Sequence, residues 1–464
     1  NPLPFKMMNF TRQMLGSNMS LDNFISEALQ WPSTKWKGFT EEWKYRDVMK
    51  MLPKYRSAID SVLSNTLNPK IHSIPYSYLL GFKSTEKLED PQSIISFMKA
   101  VQFFISKADP KQIAIFPRPF TDALRVYCDI MKKDKNYMPL IGTLKQCINI
   151  LKGNAKNTNI LTFAHCDFMY CCVETYCYHQ AFPIVTQDIV QVQGDGCIKS
   201  EDSLRYFYYC ALIHIGMKNY REAMESLVMV CTAPSESLSL IQIDAYKKYV
   251  LISLIRKQHL VSLPRYTPRI LTRYFPKFCG EYLEMNSAFD SNANSEVIGV
   301  DKLKKIVEKN AEVYLKDNNY GLVKKVLTSC EKNSVKKLTS VYTKLSIKKV
   351  AGLCRFESET KAKNIVLRMI ENGDLSASID ADNVVTFYDG TMTESDKETL
   401  IKIQSGIEKT LNLWNGLDRE QLKVKQSKEF VEKSLNLPSS NMDESMQQQL
   451  LFQSAMGGMG QFFR

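Results

Sequence analysis

Six residues in one stretch carry side chains able to bind a metal or attack a substrate: His165, Cys166, Cys171, Cys172, Cys177 and His179. Imidazoles and thiolates are the usual ligands of tetrahedral zinc, which holds them at roughly 2.0–2.3 Å. Their spacing works against that chemistry. On a helix His165, Cys172 and His179 share a face, but each is seven residues from the next, about 10 Å along the axis. No two of the six are three or four residues apart, and no Cys-x-x-Cys pair is present. A break in the helix would be needed to gather them. The spacing therefore predicts core thiols and core imidazoles rather than a metal centre.

The remaining chemistry is equally sparse. The five histidines, His72, His165, His179, His214 and His259, make no His-Glu-x-x-His pair. There is no Gly-rich phosphate loop and no Gly-x-Ser-x-Gly elbow. The sequence predicts a non-enzyme with no catalytic residue, no metal and no cofactor, so function is sought in surfaces.

The elements carrying those surfaces are helical. At 464 residues the chain is too long for one ordinary core. Hydrophobic content of 44% beside 24% charged residues fits a folded chain, and only 19 Gly and 17 Pro favour long helices over a turn-rich β protein. The net charge of +12 is modest for this size and suits an acidic protein partner as well as a nucleic acid. Twelve cysteines without regular spacing read as reduced thiols, which predicts a cytoplasmic and nuclear location. No run approaches the ~18 apolar residues of a membrane span, and no signal peptide is evident, so no membrane association is expected.

Four regions are expected: a helical N-terminal region (1–157), tetratricopeptide-like helical repeats (158–335), a winged helix (336–392), and C-terminal helices with a tail (393–464). In the first, Ile94, Ile95, Met98, Val101 and Ile105 predict one amphipathic helix, and Leu140, Ile141, Leu144, Ile148 and Leu151 another. The segment around Trp31, Trp36 and Trp43 has no regular pattern. The clearest repeat runs from Ser203 to Pro234, with Phe207, Cys210, Ala211 and His214 on one helix and Tyr220, Ala223, Leu227 and Val230 on the next. Similar pairs follow at Ile241–Arg256 and Tyr266–Phe278, and a loop is predicted at Ser291–Ser295. Helices are then predicted at Val297–Asp317 and Tyr320–Cys330. After the winged helix, one helix from Thr393 to about Leu417 precedes a second opened by Asp418 and Glu420.

Lys336 to Tyr388 is the most informative stretch, reading as three short helices and a hairpin. Ser358 is placed to cap the third helix, with Glu359 in its first turn. Ala362, Ile365, Val366, Met369 and Ile370 form its apolar face, and Gly373 sits where a left-handed cap belongs. Leu375–Ile379 and Val384–Tyr388 are predicted strands about the turn at Asp380–Asn383. An exposed sheet edge invites pairing with another chain, which makes Leu375, Ala377, Ile379, Val385 and Phe387 candidate interaction residues; the alternative is an edge protected by the charged tail. Lys361 and Arg368 lie together on a basic face. Base-reading residue types are scarce there and Glu371 repels phosphate, so an edge solvated or facing an acidic neighbour is favoured over DNA readout. A last short helix, Asp443–Ala455, offers Met446, Leu450 and Leu451, either to its own domain or to a bundle with partner chains.

Helical repeats, then a winged helix, then terminal helices is the layout of the PCI family, whose members are subunits of the proteasome lid, the COP-9 signalosome and eukaryotic initiation factor 3. Within it the chain most resembles the signalosome branch. The resemblance is carried by Gly216–Ala223, Ser239–Leu254 with its Tyr246-Lys-Lys-Tyr249, Leu263-Pro-Arg-Tyr-Thr267, Asn319–Lys325, Leu338–Ser346 and Met369–Asp374. It is dense from about 140 to 435 and thin before about 90. It implies a mainly α scaffold: a right-handed, tetratricopeptide-like solenoid, a winged-helix PCI module and C-terminal helices. It also implies other PCI and MPN subunits of the signalosome as partners, and cullin–RING ubiquitin ligases through the complex, from which Nedd8 is removed by a different, metal-binding subunit. Sister PCI complexes and a winged-helix nucleic-acid protein are the alternatives.

Overall fold

Helices built from this Gly- and Pro-poor sequence must reverse direction without glycine, and they do so by one repeated device. The computed structural model describes residues 20–31, 36–86, 90–153, 159–194, 196–234, 237–294, 300–388 and 396–435. Four hairpins share the same turn: Arg118–Lys133 with Tyr137–Lys152, Phe163–Glu174 with Tyr178–Val185, Ser200–Gly216 with Tyr220–Thr232, and Ala311–Lys316 with Tyr320–Thr339. In each a non-glycine residue adopts positive φ: Lys135 at 54°, Tyr176 at 57°, Lys218 at 64° and Asn318 at 56°. The following amide donates back over five residues, from Asn136 to Met131, Cys177 to Cys172, Asn219 to His214 and Asn319 to Tyr314, at 2.8–3.0 Å. That bond closes the preceding helix and turns the chain into the next. The same hairpin lies on both sides of residue 157.

Packing follows from those hairpins. A first apolar core runs from Leu21 to Ile213 and a second from Ala211 to Phe387. They meet on Ser200–Gly216, which gives Tyr206, Cys210 and Ile213 to one and Ala211 to the other. The tryptophan segment, unpatterned in sequence, is an aromatic nucleus: Phe24 meets Trp43 edge-on at 5.2 Å, and Trp36 meets Phe39 at 5.5 Å. Gly81 lets two helices approach, since a Cβ there would lie 3.1 Å from the Pro119 carbonyl oxygen and 2.5 Å from the Tyr45 hydroxyl. Arg125 donates to Asp202 at 3.2 Å and to the Cys197 carbonyl at 2.8 Å, with its guanidinium 3.9 Å from the Phe163 ring centre. It thereby ties Arg118–Lys133 to Ser200–Gly216.

Several boundaries depart from the sequence reading. In the helix Pro91–Lys107 the buried line is Phe97, Val101, Phe104 and Ile105, while Ile95 is exposed. The two phenylalanines bury more area than the isoleucines and rotate the helix toward themselves. Helix Gly280–Asn294 runs through most of the expected Ser291–Ser295 loop. The expected Val297–Asp317 helix is two, Val300–Lys309 and Ala311–Lys316, and the following helix extends to Thr339. A short parallel strand pair, Ile160–Leu161 with Gln191–Val192, was not foreseen.

Two compact units are distinguished, ending and starting at Thr393 and Glu394. In the second, Asp396–Gln426 is a single helix with no break at Asp418, followed by Lys428–Leu435. The expected helix with Met446, Leu450 and Leu451 lies outside the described residues.

Candidate functional site

The winged helix is assembled around its third helix, Glu359–Glu371. The Ser358 hydroxyl accepts the Lys361 amide at 3.1 Å, satisfying one of the first-turn donors. Ala362, Val366 and Met369 are fully buried, and Ile365 and Ile370 are half-buried beside them. Gly373, at φ 71°, ends the helix, and the Asp374 amide donates to the Met369 carbonyl at 2.8 Å. Ile347–Leu353 packs against this helix, and Tyr320–Thr339 supplies the third member of the trio.

The sheet has three strands, not two. Lys344–Ser346 pairs with Val384–Phe387, which pairs with Ala377–Ile379, both antiparallel. Val385 faces Leu345 on one side and Ile379 on the other. This corrects the edge expectation. Val385 and Phe387 sit on the central strand with both backbone sides bonded, and their side chains are buried in the core. Ala377 and Ile379 do stand on an outer strand, half-buried, and Leu375 leads into it with its side chain buried. The other edge is Lys344–Ser346, missed because three residues are too few to show a period of two.

Of the basic face, Lys361 is matched by carboxylates of the same chain, as are the nearby Lys332 and Lys304. Lys361 pairs with Glu331 at 2.9 Å and Glu357 at 3.7 Å, Lys332 with Asp374 at 2.7 Å, and Lys304 with Glu357 at 2.7 Å. Lys363 donates to the Asn383 side chain at 2.8 Å. Arg368 is exposed. A phosphate backbone approaching this helix would meet glutamates as well as lysines.

The histidine–cysteine stretch is structural. His165 caps its own helix, its Nδ1 accepting the Thr162 amide at 3.0 Å and lying 2.8 Å from the Thr162 hydroxyl. Burial, helped by the Lys152 charge, pushes its pKa down to about 3, so the ring is neutral. Cys166, Cys171 and Cys172 are buried, and burial pushes the last two thiols up to about 12. Cys177 falls in the hairpin turn and His179 on the next helix is exposed, so the six side chains disperse. Among the described residues no three His, Cys, Asp or Glu side chains gather to hold a metal ion.

The stretches Tyr246–Tyr249 and Leu263–Thr267, which carry part of the resemblance, build a polar strut within the solenoid. Tyr246 stacks on Phe275 with centroids 4.2 Å apart. Lys247 pairs with Asp317 at 2.7 Å, and Asp317 also accepts the Tyr282 hydroxyl at 2.8 Å, itself met by the Asn319 amide at 3.0 Å. Lys248 pairs with Asp244, which also accepts from Tyr208. Tyr249 donates to the Val261 carbonyl at 3.1 Å, and Thr267 closes the Leu263–Thr267 turn onto Pro264 at 2.7 Å. Asp317 and Asn319 flank the turn into Tyr320–Thr339, so the strut connects the repeats to the first helix of the winged helix.

The second unit presents an exposed apolar surface. Along Asp396–Gln426, Leu400, Ile403, Ile407, Trp414, Leu417 and Val424 are each at least 50% exposed. Their steps of three, four and seven residues form one stripe of heptad type. The sequence reading missed it by dividing the helix.

Comparisons with known proteins match this architecture. A family model described as "COP9 signalosome complex subunit 3, N-terminal helical repeats" matches residues 34–271, and a PCI domain model matches 307–389. The chain is similar to COP9 signalosome complex subunit 3 of Dictyostelium discoideum, 29% identical over 415 residues, covering 89% of this chain and 95% of that protein. It is also similar to the Arabidopsis thaliana protein of the same name, 28% identical over 353 residues, covering 76% of this chain and 79% of the relative.

Proposed function

The chain belongs to the COP9 signalosome complex subunit 3 helical-repeat family, and on that premise we propose that it is a non-catalytic scaffold subunit of that complex. In this reading the complex removes Nedd8 from cullin–RING ligases, and the chemistry resides on another, metal-binding subunit. Its partners are the other PCI and MPN subunits, and cullin–RING ligases are met through the assembly. The observation that carries the reading is the exposed heptad stripe on Asp396–Gln426. A 31-residue helix with an apolar stripe in water is suited to a bundle of helices from several chains. The outer strands Lys344–Ser346 and Ala377–Ile379 offer edges for neighbouring winged helices. The segment with Met446, Leu450 and Leu451 is assigned to the same bundle, and 393–464 to a separate assembly region. A cytoplasmic and nuclear location is part of this reading; twelve free cysteines, eleven of them buried, fit a reducing compartment.

The test is affinity purification of the tagged chain from its own cells, with mass spectrometry and a cullin–Nedd8 cleavage assay on the eluate. Several PCI and MPN subunits and cleavage activity are expected with the wild type and are lost with Ile407→Asp/Trp414→Asp. Co-purification with proteasome-lid or initiation-factor subunits instead would move the chain to a sister complex.

A further inference from the structure

Between Asp244 and Glu281 the chain has no acidic residue, yet it carries Lys247, Lys248, Arg256, Lys257, Arg265, Arg269, Arg273 and Lys277. Lys247 and Lys248 are consumed by the strut. The other six are exposed, and among the described residues none of them forms an ion pair.

Three of the six form a line, and a fourth precedes them in sequence. Arg269, Arg273 and Lys277 recur every fourth residue on the helix Arg269–Phe278, and Arg265 precedes them by the same interval. At 100° per residue the three helical cations fall within one arc of about 80°, roughly opposite the buried Leu271 and Phe275. They stand about 6 Å apart along the axis. That spacing is close to the ~6.7 Å between alternate side chains of an extended strand and to one turn of a helix.

We propose that this face is a docking site for an acidic protein segment, with carboxylates on alternate residues of a strand or on successive turns of a helix. Arginine suits the role because its planar fork binds a carboxylate through two parallel hydrogen bonds. Exposed rings stand beside the row, Tyr266 next to Arg265 and Phe278 next to Lys277, but at 100° per residue Phe278 falls about 100° outside the arc of the three helical cations, so it does not interleave with them as base stacking needs. Lys277 covers Tyr274, its ammonium 5.3 Å from the ring centre. A duplex would require a broader surface than one row of cations. Leu271 and Phe275 of the helix are already buried in the solenoid, leaving no continuous apolar face to insert into a bilayer. The proposal stands on charge and spacing and is independent of the assembly reading.

Anisotropy of a labelled peptide of alternating Glu and Ala, titrated with the full chain, tests it. Binding is expected to be salt-sensitive and to weaken about tenfold or more in Arg269→Glu/Arg273→Glu/Lys277→Glu, each reversal replacing an attraction by a repulsion. Arg368→Glu, a control on the winged helix, is expected to leave it unchanged. If the reversed variant fails to fold, Arg269→Gln/Arg273→Gln/Lys277→Gln is expected to weaken binding a few-fold. No binding by the wild type, no loss in either variant, or an equal loss in Arg368→Glu overturns the proposal. Tighter binding of a single-stranded oligonucleotide of equal charge also overturns it, in favour of nucleic acid.

Discussion

Removing Asp317 should loosen the joint between the repeats and the winged helix. The Lys247 side chain is 16% exposed and that of Asp317 19%, so the pair is largely but not wholly screened from water. Asp317→Ala leaves the Lys247 ammonium without its partner and deprives the Tyr282 hydroxyl of an acceptor. Breaking a fully buried pair from one side costs about 3–5 kcal/mol, and the residual exposure reduces this to about 2–4 kcal/mol. Lys247→Met keeps the apolar stem and leaves Asp317 its Tyr282 bond, so about 1–2 kcal/mol is expected. Lys247→Met/Asp317→Ala removes both charges and should cost less than the two singles together by at least about 1 kcal/mol. Hydrogen exchange on 282–339 is the appropriate assay, because Trp31, Trp36 and Trp43 all report on the N-terminal core. Single-variant effects that add to within about 0.5 kcal/mol would refute the coupling and with it the strut.

Gly81→Ala should destabilise the N-terminal core by about 1–3 kcal/mol, read as a lower thermal midpoint, because the backbone of Pro119 cannot withdraw as the Tyr45 hydroxyl can. Lys218→Gly, at φ 64°, should stabilise the hairpin by about 0.5–1 kcal/mol in urea unfolding, whereas Lys218→Val should destabilise it. His165 is held neutral when folded, its pKa lowered to about 3 mainly by burial, and it titrates near 6.5 when unfolded. The unfolded chain therefore binds the extra proton between those values. The His165 contribution is fully present above about pH 6.5 and is lost toward pH 3 by up to about 1.4 kcal/mol per unit; His165→Gln should flatten that slope between pH 7 and 5.

The third helix of the winged helix was legible because independent signals agreed on it: the Ser358 cap, the apolar face through Val366 and the Gly373 stop. The strand Lys344–Ser346 was not, and without it the central strand Val384–Phe387 read as an edge. The four hairpin turns were hidden for a different reason. Lys135, Tyr176 and Lys218 are not residues that announce positive φ, and the tertiary packing of the two helices imposes it. The heptad stripe was obscured when Asp418 and Glu420 were read as opening a second helix. An aspartate alone does not end a helix, and even Gly416, two residues before Asp418, lies within this one.

The helix Ser200–Gly216, shared between two cores, has a consequence for synthesis. Everything that covers its Tyr206, Cys210 and Ile213 side has already left the ribosome when the helix emerges. Its Ala211 side, with Leu204 and Tyr208, must wait for Tyr220–Thr232 and the helix beyond it. A nascent chain halted soon after Gly216 is therefore half finished in a specific way: closed on one face and adhesive on the other. Chaperone capture of stalled chains should peak at that length and fall once Leu240–Lys257 is out.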